Sequence, residues 1–386
     1  MTLRFEFATA TRIVFGPGVM REAASTAASL GSRALVVTGA TPERACGFIA
    51  HLRSLKLECA IYSLRGEPTI PAILEGIRAA KEAGAEVVVG FGGGSALDGA
   101  KAIAALLTNP GAPLDYLEVV GSGNPLTRPC APCICVPTTA GTGCEVTRNS
   151  VLISPEHKIK ISLRSPHMAP LLAAVDPDLT HSLLPSITAG TGLDALTQLI
   201  EPFLSVRANP LTDSLCREGI GRVAAWLRIC CNEGGNSEAR RNMALASLFG
   251  GLALANAGLG AVHGLAAPLG GMFPVPHGVA CAALLPGAMA VNLRALRSRC
   301  ADSPVLDRFD EIARMLTGNP SACAEEGIEW IAALCADLEL PRLSSFGLEK
   351  KDLPIVARQA GASSSIKGNP IPLTADELAA IAASAL

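Results

Sequence analysis

Strand-like and helix-like segments alternate through the first half of this chain, and this alternation constrains its fold more than any other feature. Apolar runs at residues 33–39, 57–62 and 86–91 are typical of buried strands, and the stretches 70–83 and 96–107 are typical of helices. Strands that alternate with helices form a parallel sheet with helices packed on its faces. The sequence therefore predicts an α/β domain in the first half of the chain.

The pattern changes near residue 180, where strand-like runs largely stop. Long stretches rich in Ala and Leu follow at residues 188–203, 210–230, 237–258 and 303–316, and their apolar positions fit a 3.6-residue period. We therefore predict two domains, an α/β domain over 1–180 and an all-helical domain over 181–386. Since no low-complexity linker separates them, we expect them to pack closely around a cleft.

Composition restricts the possible partners. Of the 386 residues, 49% are apolar and 17% are charged, so a large buried core is expected and disorder is not. The net charge of −2 argues against nucleic acid as a partner, because binding to phosphates requires a basic surface. Residues 243–262 carry no charge, but their glycines, Ser247 and Asn256 favour a buried helix over a membrane span.

The thirteen cysteines suggest a reducing compartment. The first seven residues lack the charged-then-apolar pattern of a signal peptide, so we expect a cytoplasmic protein with free thiols. Cys130 and Cys133 form a C-x-x-C pair, which is a possible redox or zinc motif. However, residues 133–136 resemble a buried strand, in which cysteine acts as a small apolar residue.

Two glycine-rich segments are candidates for binding a nucleotide. The first lies between an apolar strand and a helix, where the backbone approaches a phosphate pair and the helix N-terminus adds partial positive charge. It is not the usual G-x-G-x-x-G motif, and its glycines could serve only to make a sharp turn. The second segment, residues 137–143, combines glycines with threonine hydroxyls that can line a phosphate or a ribose. The candidate residues are Gly92, Gly93, Gly94, Ser95, Thr138, Thr139 and Thr142.

A carboxylate and two imidazoles are candidates for a metal site. Asp194 lies in a helical stretch with Gln198 four residues later on the same face. His263 and His277 are separated by prolines, including Pro268, so we expect them to come from different elements. Asp and His together suit a divalent metal. The alternative is a helix-capping aspartate with two unrelated histidines.

Taken together, these motifs resemble the iron-containing (group III) alcohol dehydrogenases over essentially the whole chain. The matching segments, in order, are the Gly92 turn with Asp98 and Lys101, residues 137–143 with Glu145, then Lys160, Asp176-Pro177, the Asp194 helix, residues 258–263 and residues 276–278. The resemblance implies the dehydroquinate synthase-like fold of that family, with an α/β nucleotide-binding domain and an all-helical metal and substrate domain. It also implies that Asp98 and Lys160 belong to the cofactor site, and that the enzyme is a homodimer.

The resemblance also implies metal ligands, with two departures. The family uses one Asp and three His; Asp194, His263 and His277 match, while Gln198 stands where the third histidine is expected. Glutamine is a neutral and weaker ligand than imidazole. At Ala267 the family often has a histidine near the substrate, so a proton relay there would need water or the cofactor ribose instead. Iron and zinc both remain open.

The choice between NAD and NADP is expected to depend on Gly39, which follows the first buried strand. Many NAD-preferring relatives have an aspartate there, which would contact the ribose 2′-hydroxyl and repel a 2′-phosphate. Gly39 removes this repulsion, and Arg44 is placed to reach such a phosphate. We therefore predict that NADP(H) is tolerated or preferred.

The predicted function is an NAD(P)-dependent, metal-assisted interconversion of a small alcohol and its aldehyde or ketone. A metal at Asp194, His263 and His277 would stabilise the alkoxide, and the nicotinamide would carry the hydride. The main alternative is a metal-free reductase resembling maleylacetate reductases, which share the fold. A lyase related to dehydroquinate synthases and a non-catalytic nucleotide-binding protein are two further alternatives.

Overall fold

The alternation in the first half of the chain forms a parallel sheet in the computed structural model, which describes residues 4–386. The strands are β1 Arg12–Phe15, β2 Arg33–Thr38, β3 Glu58–Ser63, β4 Val87–Gly92, β5 Cys133–Pro137, β6 Asn149–Ser154, β7 Ile159–Arg164 and β8 Leu172–Val175. Within the described residues the sheet has six strands in the order β1-β8-β5-β4-β2-β3. A separate antiparallel hairpin is formed by β6 and β7.

Strand register brings three carboxyl ends side by side at one edge of the sheet. Thr38 at the end of β2 pairs with Phe91 of β4, and Gly92 at the end of β4 pairs with Pro137 of β5. In a parallel sheet all the turns that follow the strands leave from the same edge. The two glycine-rich segments and Gly39 therefore lie on neighbouring strands.

Helices cover both faces of the sheet. One apolar layer joins Val88 and Leu35 of the sheet to Ile73 and Ile103 of the helices, and the other joins Val36 and Val89 to Phe48. The helices of this part are α1 Met20–Leu30, α2 Cys46–Ser54, α3 Ile70–Glu82, α4 Gly94–Thr108 and the single turn α5 Pro113–Tyr116. Both faces are buried, which explains why the strands are continuously apolar rather than alternating.

The second half of the chain is helical throughout, and every residue from 182 to 386 is described. The helices are α6 Pro185–Leu204, α7 Pro210–Asn232, α8 Ser237–Ala257, α9 Ala261–Met272, α10 His277–Arg299, α11 Val305–Thr317, α12 Ala324–Asp337, α13 Leu353–Ala362 and α14 Ala375–Ser384. The apolar core of this half is built largely from helices α6 to α10. The predicted fold class, an α/β half followed by an all-helical half, is confirmed.

The chain divides into two compact units near the predicted change of pattern. The α/β unit comprises Ala8–Thr139 and Gly143–His181, and the helical unit comprises Ser182–Leu386, Ala140–Thr142 and the described residues up to Phe7. The segment Ala140–Thr142 lies with the helical unit, where Ala140 joins the apolar core. As limits of folding domains, 1–180 and 181–386 stay a prediction.

The expectation that residues 243–262 form one buried helix was wrong, because α8 ends at Ala257 and α9 starts at Ala261 with a bend of 100° between them. Helix α10 is long and apolar enough to cross a membrane by length and composition alone, yet 72% of its apolar window is buried inside the protein.

Pro268 was expected to break the helical stretch that follows His263. This was wrong, since α9 continues through Pro268 to Met272. A proline costs a helix one hydrogen bond, and the buried neighbours Leu265 and Leu269 hold this helix in place.

The thirteen cysteines, all within the described residues, are free thiols. Cys133 and Cys135 are buried in β5, as expected for small apolar residues. Residues 1–3, part of the start that we considered as a possible leader, lie outside the described residues.

Candidate metal and nucleotide sites

Asp194, His263 and His277 converge inside the helical unit. The Asp194 Oδ1 atom lies 3.4 Å from His263 Nε2 and 3.6 Å from His277 Nε2. The two imidazole rings are tilted, with their centroids 5.3 Å apart. Three side chains that lie far apart in the sequence therefore form one cluster of possible ligand atoms.

The local structure explains how each side chain reaches the cluster. Asp194 projects from the middle of the buried helix α6, and His263 lies in the first turn of α9. His277 is the first residue of α10, after Pro276 at the N-cap. The two histidines come from different helices, as the sequence predicted.

The Asp194 carboxylate and its neighbour Gln198 have unused acceptors. Among the described residues, Asp194 Oδ1 and Gln198 Oε1 are buried without a hydrogen-bond partner. Buried polar atoms almost always have a partner, so these two atoms suggest a missing ligand. Asp194 and Gln198 lie one turn apart on α6, so their side chains share one face of that helix.

Two residues of this cluster were not singled out from the sequence. Glu201, seven residues after Asp194 on α6, accepts a hydrogen bond from His263: its Oε2 lies 2.7 Å from Nδ1. Its other oxygen accepts the backbone N–H of Val262 at 2.7 Å. Cys281 lies one turn after His277 on α10 and belongs to the same group of ligand atoms, all within 4.8 Å of one another. The spacing Asp194–Glu201 was a usable signal, because positions seven apart share a helix face.

Electrostatics in the cluster favour a negatively charged Asp194. Burial alone would raise the pKa of this carboxyl, but the nearby His277 and His263 outweigh it and lower the pKa. Burial alone would likewise lower the pKa of His263, but Cys281, Asp194 and Glu201 outweigh it and raise the pKa. The cluster therefore attracts positive charge, either as protons or as a cation.

The glycine-rich segments meet at the carboxyl edge of the sheet in the α/β unit. The Thr138 N–H donates to the Gly92 carbonyl at 2.9 Å. A Cβ atom at Gly93 would lie 3.2 Å from the Thr139 side chain, so only a glycine fits there easily. Helix α4 begins at Gly94 without a side-chain cap, and Ser95 lies in its half-buried first turn. Uncapped amides at a helix N-terminus are suited to bind a phosphate.

Gly39 follows β2 beside this turn. Its amide nitrogen lies 3.4 Å from the position of a Cβ on Gly92, and a Cβ on Gly39 itself would have no atom within 4 Å. Arg44 lies nearby in the chain, in the 3₁₀ turn Pro42–Ala45, and donates to the Leu179 carbonyl at 3.1 Å. The open space at Gly39 leaves room for a group of the cofactor.

Asp98 and Lys160, which were expected to contact the cofactor, are bonded to protein groups in the structure. Asp98 Oδ1 pairs with the fully buried Lys101 ammonium at 3.0 Å, and its Oδ2 accepts the Val151 N–H at 3.0 Å. Lys160 forms an ion pair with Glu67 at 2.6 Å. Both residues stay predicted cofactor contacts, and these interactions show that each also supports the local structure.

Two further positions were singled out from the sequence, Thr142 as a cofactor contact and Ala267 as the place where the family often has a histidine. Thr142 lies with the helical unit, whereas Thr138 and Thr139 lie with the α/β unit. Ala267 is half-buried, one turn after His263 on α9. Its methyl group can neither accept nor donate a proton.

Glycine-rich turns after the strands of a parallel sheet, together with helices that gather a carboxylate and two imidazoles, are consistent with a metal-containing dehydrogenase. The comparisons with known proteins agree. The model of the iron-containing alcohol dehydrogenases matches residues 10–177, and that of the C-terminal region of the Fe-containing alcohol dehydrogenase family matches residues 188–386. The chain belongs to the iron-containing alcohol dehydrogenase family and is an oxidoreductase.

Individual relatives cover nearly the whole chain. It is 34% identical to alcohol dehydrogenase 4 of Schizosaccharomyces pombe over 97% of this chain and 87% of that protein. A crystal structure of 1,3-propanediol oxidoreductase superposes with a TM-score of 0.92 at 32% identity, covering 100% of both chains. Sulfoacetaldehyde reductase from Bifidobacterium kashiwanohense in complex with NAD+ superposes with a TM-score of 0.85 at 28% identity, covering 99% of both chains. The fold and the reaction class predicted from the sequence are confirmed.

Proposed function

We propose that this enzyme interconverts a small alcohol and its aldehyde or ketone, using NAD(P)(H) and a divalent metal held by Asp194, His263 and His277. The convergence of these three side chains, with the Asp194 Oδ1 atom buried and without a hydrogen-bond partner among the described residues, carries the proposal. A small substrate agrees with the name of the structural neighbour 1,3-propanediol oxidoreductase.

The donor atoms suit a metal in chemistry and in spacing. Carboxylate and imidazole ligands are shared by iron and zinc. Atoms bound to one tetrahedral ion at about 2.0–2.3 Å lie about 3.3–3.8 Å from each other. The Asp194–His263 and Asp194–His277 distances of 3.4 and 3.6 Å fall within that range. When bound, such an ion supplies Lewis-acid stabilisation of an alkoxide.

Glu201 favours the protonation state of His263 that metal binding requires, with the ring proton on Nδ1. A neutral imidazole binds a metal through the nitrogen that carries no proton. The Glu201 carboxylate only accepts hydrogen bonds, so its contact with Nδ1 holds the His263 proton there and leaves Nε2 free toward Asp194. We propose that Glu201 is a positioning residue for the metal site.

Access to the cluster lies on the His277 side. The His277 side chain is 33% exposed, whereas those of Asp194 and His263 are 2% and 7% exposed. The buried carboxylate and His263 would hold the metal away from water. Substrate oxygen would approach at the more open imidazole.

We propose that the turn from Gly92 to Ser95 and Thr138–Thr139 bind the cofactor pyrophosphate, with Thr142, Asp98 and Lys160 as further predicted contacts. The uncapped start of α4 and the close packing of Gly93 on Thr139 support this proposal. Gly39 would lie at the adenosine ribose, where the lack of a carboxylate permits a 2′-phosphate. The NAD+ complex of the sulfoacetaldehyde reductase supports a nicotinamide cofactor.

Elemental analysis of protein purified without chelators, with NADH and NADPH oxidation assays over a panel of aldehydes, tests the function. We expect about one equivalent of iron or zinc per chain, and activity that is lost on chelation and restored by metal. Metal-free protein with full turnover would favour a reductase resembling maleylacetate reductases, with Asp194, His263 and His277 binding substrate. The homodimer and the cytoplasmic location stay predictions.

A further inference from the structure

Cys281 is a member of the same cluster of possible ligands as Asp194, His263 and His277, although no ligand role was expected for it. Its Sγ atom is 3.7 Å from His277 Nε2 and 3.8 Å from His263 Nε2. The side chain is fully buried, and its position one turn after His277 on α10 turns both residues toward Asp194. These distances match the separation of about 3.3–3.8 Å between ligands of one tetrahedral ion.

The other candidate for a fourth ligand is Gln198. Its Oε1 atom is buried and has no hydrogen-bond partner among the described residues, and it lies one turn after Asp194 on α6. A glutamine oxygen is neutral and binds a metal weakly, so a site with Asp194, two imidazoles and Gln198 would bring one anionic ligand directly to a divalent ion, with the Glu201 carboxylate one bond further away behind His263. A thiolate at Cys281 would add a second anionic ligand and a stronger one.

We propose that Cys281 is the fourth protein ligand of the metal, which makes the centre an Asp–His–His–Cys site that prefers zinc to ferrous iron. The inference rests on the proposed metal site and adds a ligand to it. When a metal binds, the thiol would release its proton to solvent as the sulfur–metal bond forms. The Asp194 carboxylate and the thiolate would then be the two anionic ligands of the ion. Soft thiolate ligands with imidazole in a tetrahedral site select zinc.

Cobalt(II) substitution tests the ligand directly and does not depend on turnover. The purified protein is stripped of metal and titrated with Co²⁺ while its absorption spectrum is recorded. We expect tetrahedral d–d bands together with a near-ultraviolet band from thiolate-to-cobalt charge transfer. Cys281→Ser should lose the charge-transfer band and keep weakened d–d bands. The matched control is Cys335→Ser on α12, whose thiol donates to the Ala282 carbonyl beside the site, and it should keep both.

The outcomes of the cobalt titration distinguish the proposal that a metal binds at Asp194, His263 and His277 from the proposal that Cys281 is its fourth ligand. Cobalt d–d bands without a charge-transfer band in the unmodified protein would overturn the role of Cys281 and leave the metal site intact. A charge-transfer band that survives in Cys281→Ser would also overturn it. If Co²⁺ does not bind at all, both proposals are wrong.

Relative metal affinity tests the preference for zinc. Competition with a chromophoric chelator gives the affinities of the unmodified protein and of Cys281→Ser for Zn²⁺ and Fe²⁺ under anaerobic conditions. We expect the zinc affinity to fall more than about 100-fold, beyond the 10–100-fold effect of a group that only supports a ligand. The affinity for iron should fall less. An equal loss for both ions would contradict the preference for zinc.

Discussion

The Oε2 atom of Glu201 accepts the Nδ1 proton of His263 across 2.7 Å, while the Nε2 atom of the same imidazole faces Asp194 at 3.4 Å. Both Glu201 and Asp194 lie on α6, two turns apart, so one helix presents both carboxylates to one histidine. In the neutral form of His263 this arrangement places the ring proton on Nδ1, and it holds the orientation of the ring.

Glu201→Gln should weaken metal binding about 10- to 100-fold. A glutamine can keep its oxygen on the Val262 N–H, which turns its NH₂ group toward His263 Nδ1. The imidazole must then accept at Nδ1 and carry its proton on Nε2, where it blocks the metal. Zinc affinity measured by competition titration checks this expectation. Glu325→Gln, at a surface ion pair with Arg297, is the control, and equal affinities in the two variants would refute the role of Glu201.

Asp194→Ala should abolish stoichiometric metal binding and lower kcat by about 1,000-fold, because Lewis-acid stabilisation contributes several kcal/mol. Metal content and steady-state turnover are measured on the same preparation. Asp337→Ala removes a surface carboxylate that pairs with Arg228 and should change neither quantity. Near-normal turnover in metal-depleted Asp194→Ala would rule out the metal-assisted reaction.

Gly39→Asp should shift cofactor preference toward NAD(H). The site has open space for a side chain, so the carboxylate can be accommodated and would repel a 2′-phosphate. We expect the ratio of kcat/KM for NADH to that for NADPH to rise by roughly 10- to 100-fold, as expected for one unfavourable charge contact. Gly47→Asp, in open space on α2, should leave the ratio unchanged. A large NADH preference in the unmodified enzyme would already contradict the predicted tolerance of NADP(H).

The free energy of unfolding should fall as the pH rises, because the buried Glu145 carboxyl is more difficult to ionise in the folded protein than in the unfolded chain. Burial raises the pKa of this carboxyl from 4.5 to about 7, although the nearby Lys101 partly opposes the shift. Between these values the unfolded chain ionises before the folded one, so the free energy of unfolding falls as the pH rises from about 4.5 to 7. By linkage, the loss reaches on the order of 3 kcal/mol.

Glu145→Gln should flatten this part of the pH profile, because the amide does not titrate. Urea unfolding at pH 5, 6, 7 and 8 gives the free energies of unfolding. The exposed Glu58, replaced by Gln, serves as the control and should reproduce the slope of the unmodified protein. If the free energy of unfolding of Glu145→Gln still falls with pH as steeply as that of the unmodified protein, the Glu145 carboxyl does not cause the loss of stability.

The elements of the fold were largely predictable because their signals are local. Continuous apolar runs marked the strands β2, β3 and β4, which are buried on both faces, and the 3.6-residue period marked the long helices. The helix through Pro268 was missed because the packing around it outweighs the loss of one hydrogen bond.

The residue types of the candidate sites were visible in the sequence, but their arrangement was decided by tertiary structure. The Asp194–Gln198 spacing and the glycine turn after β4 are local patterns. The contact of Cys281 with both histidines, and of Glu201 with His263, joins helices α6, α9 and α10, which lie far apart along the chain. Such contacts depend on how the helices cross in the core. The sequence by itself therefore determined the fold class and the candidate ligands, whereas only the packed structure brought the thiol and the second carboxylate to them.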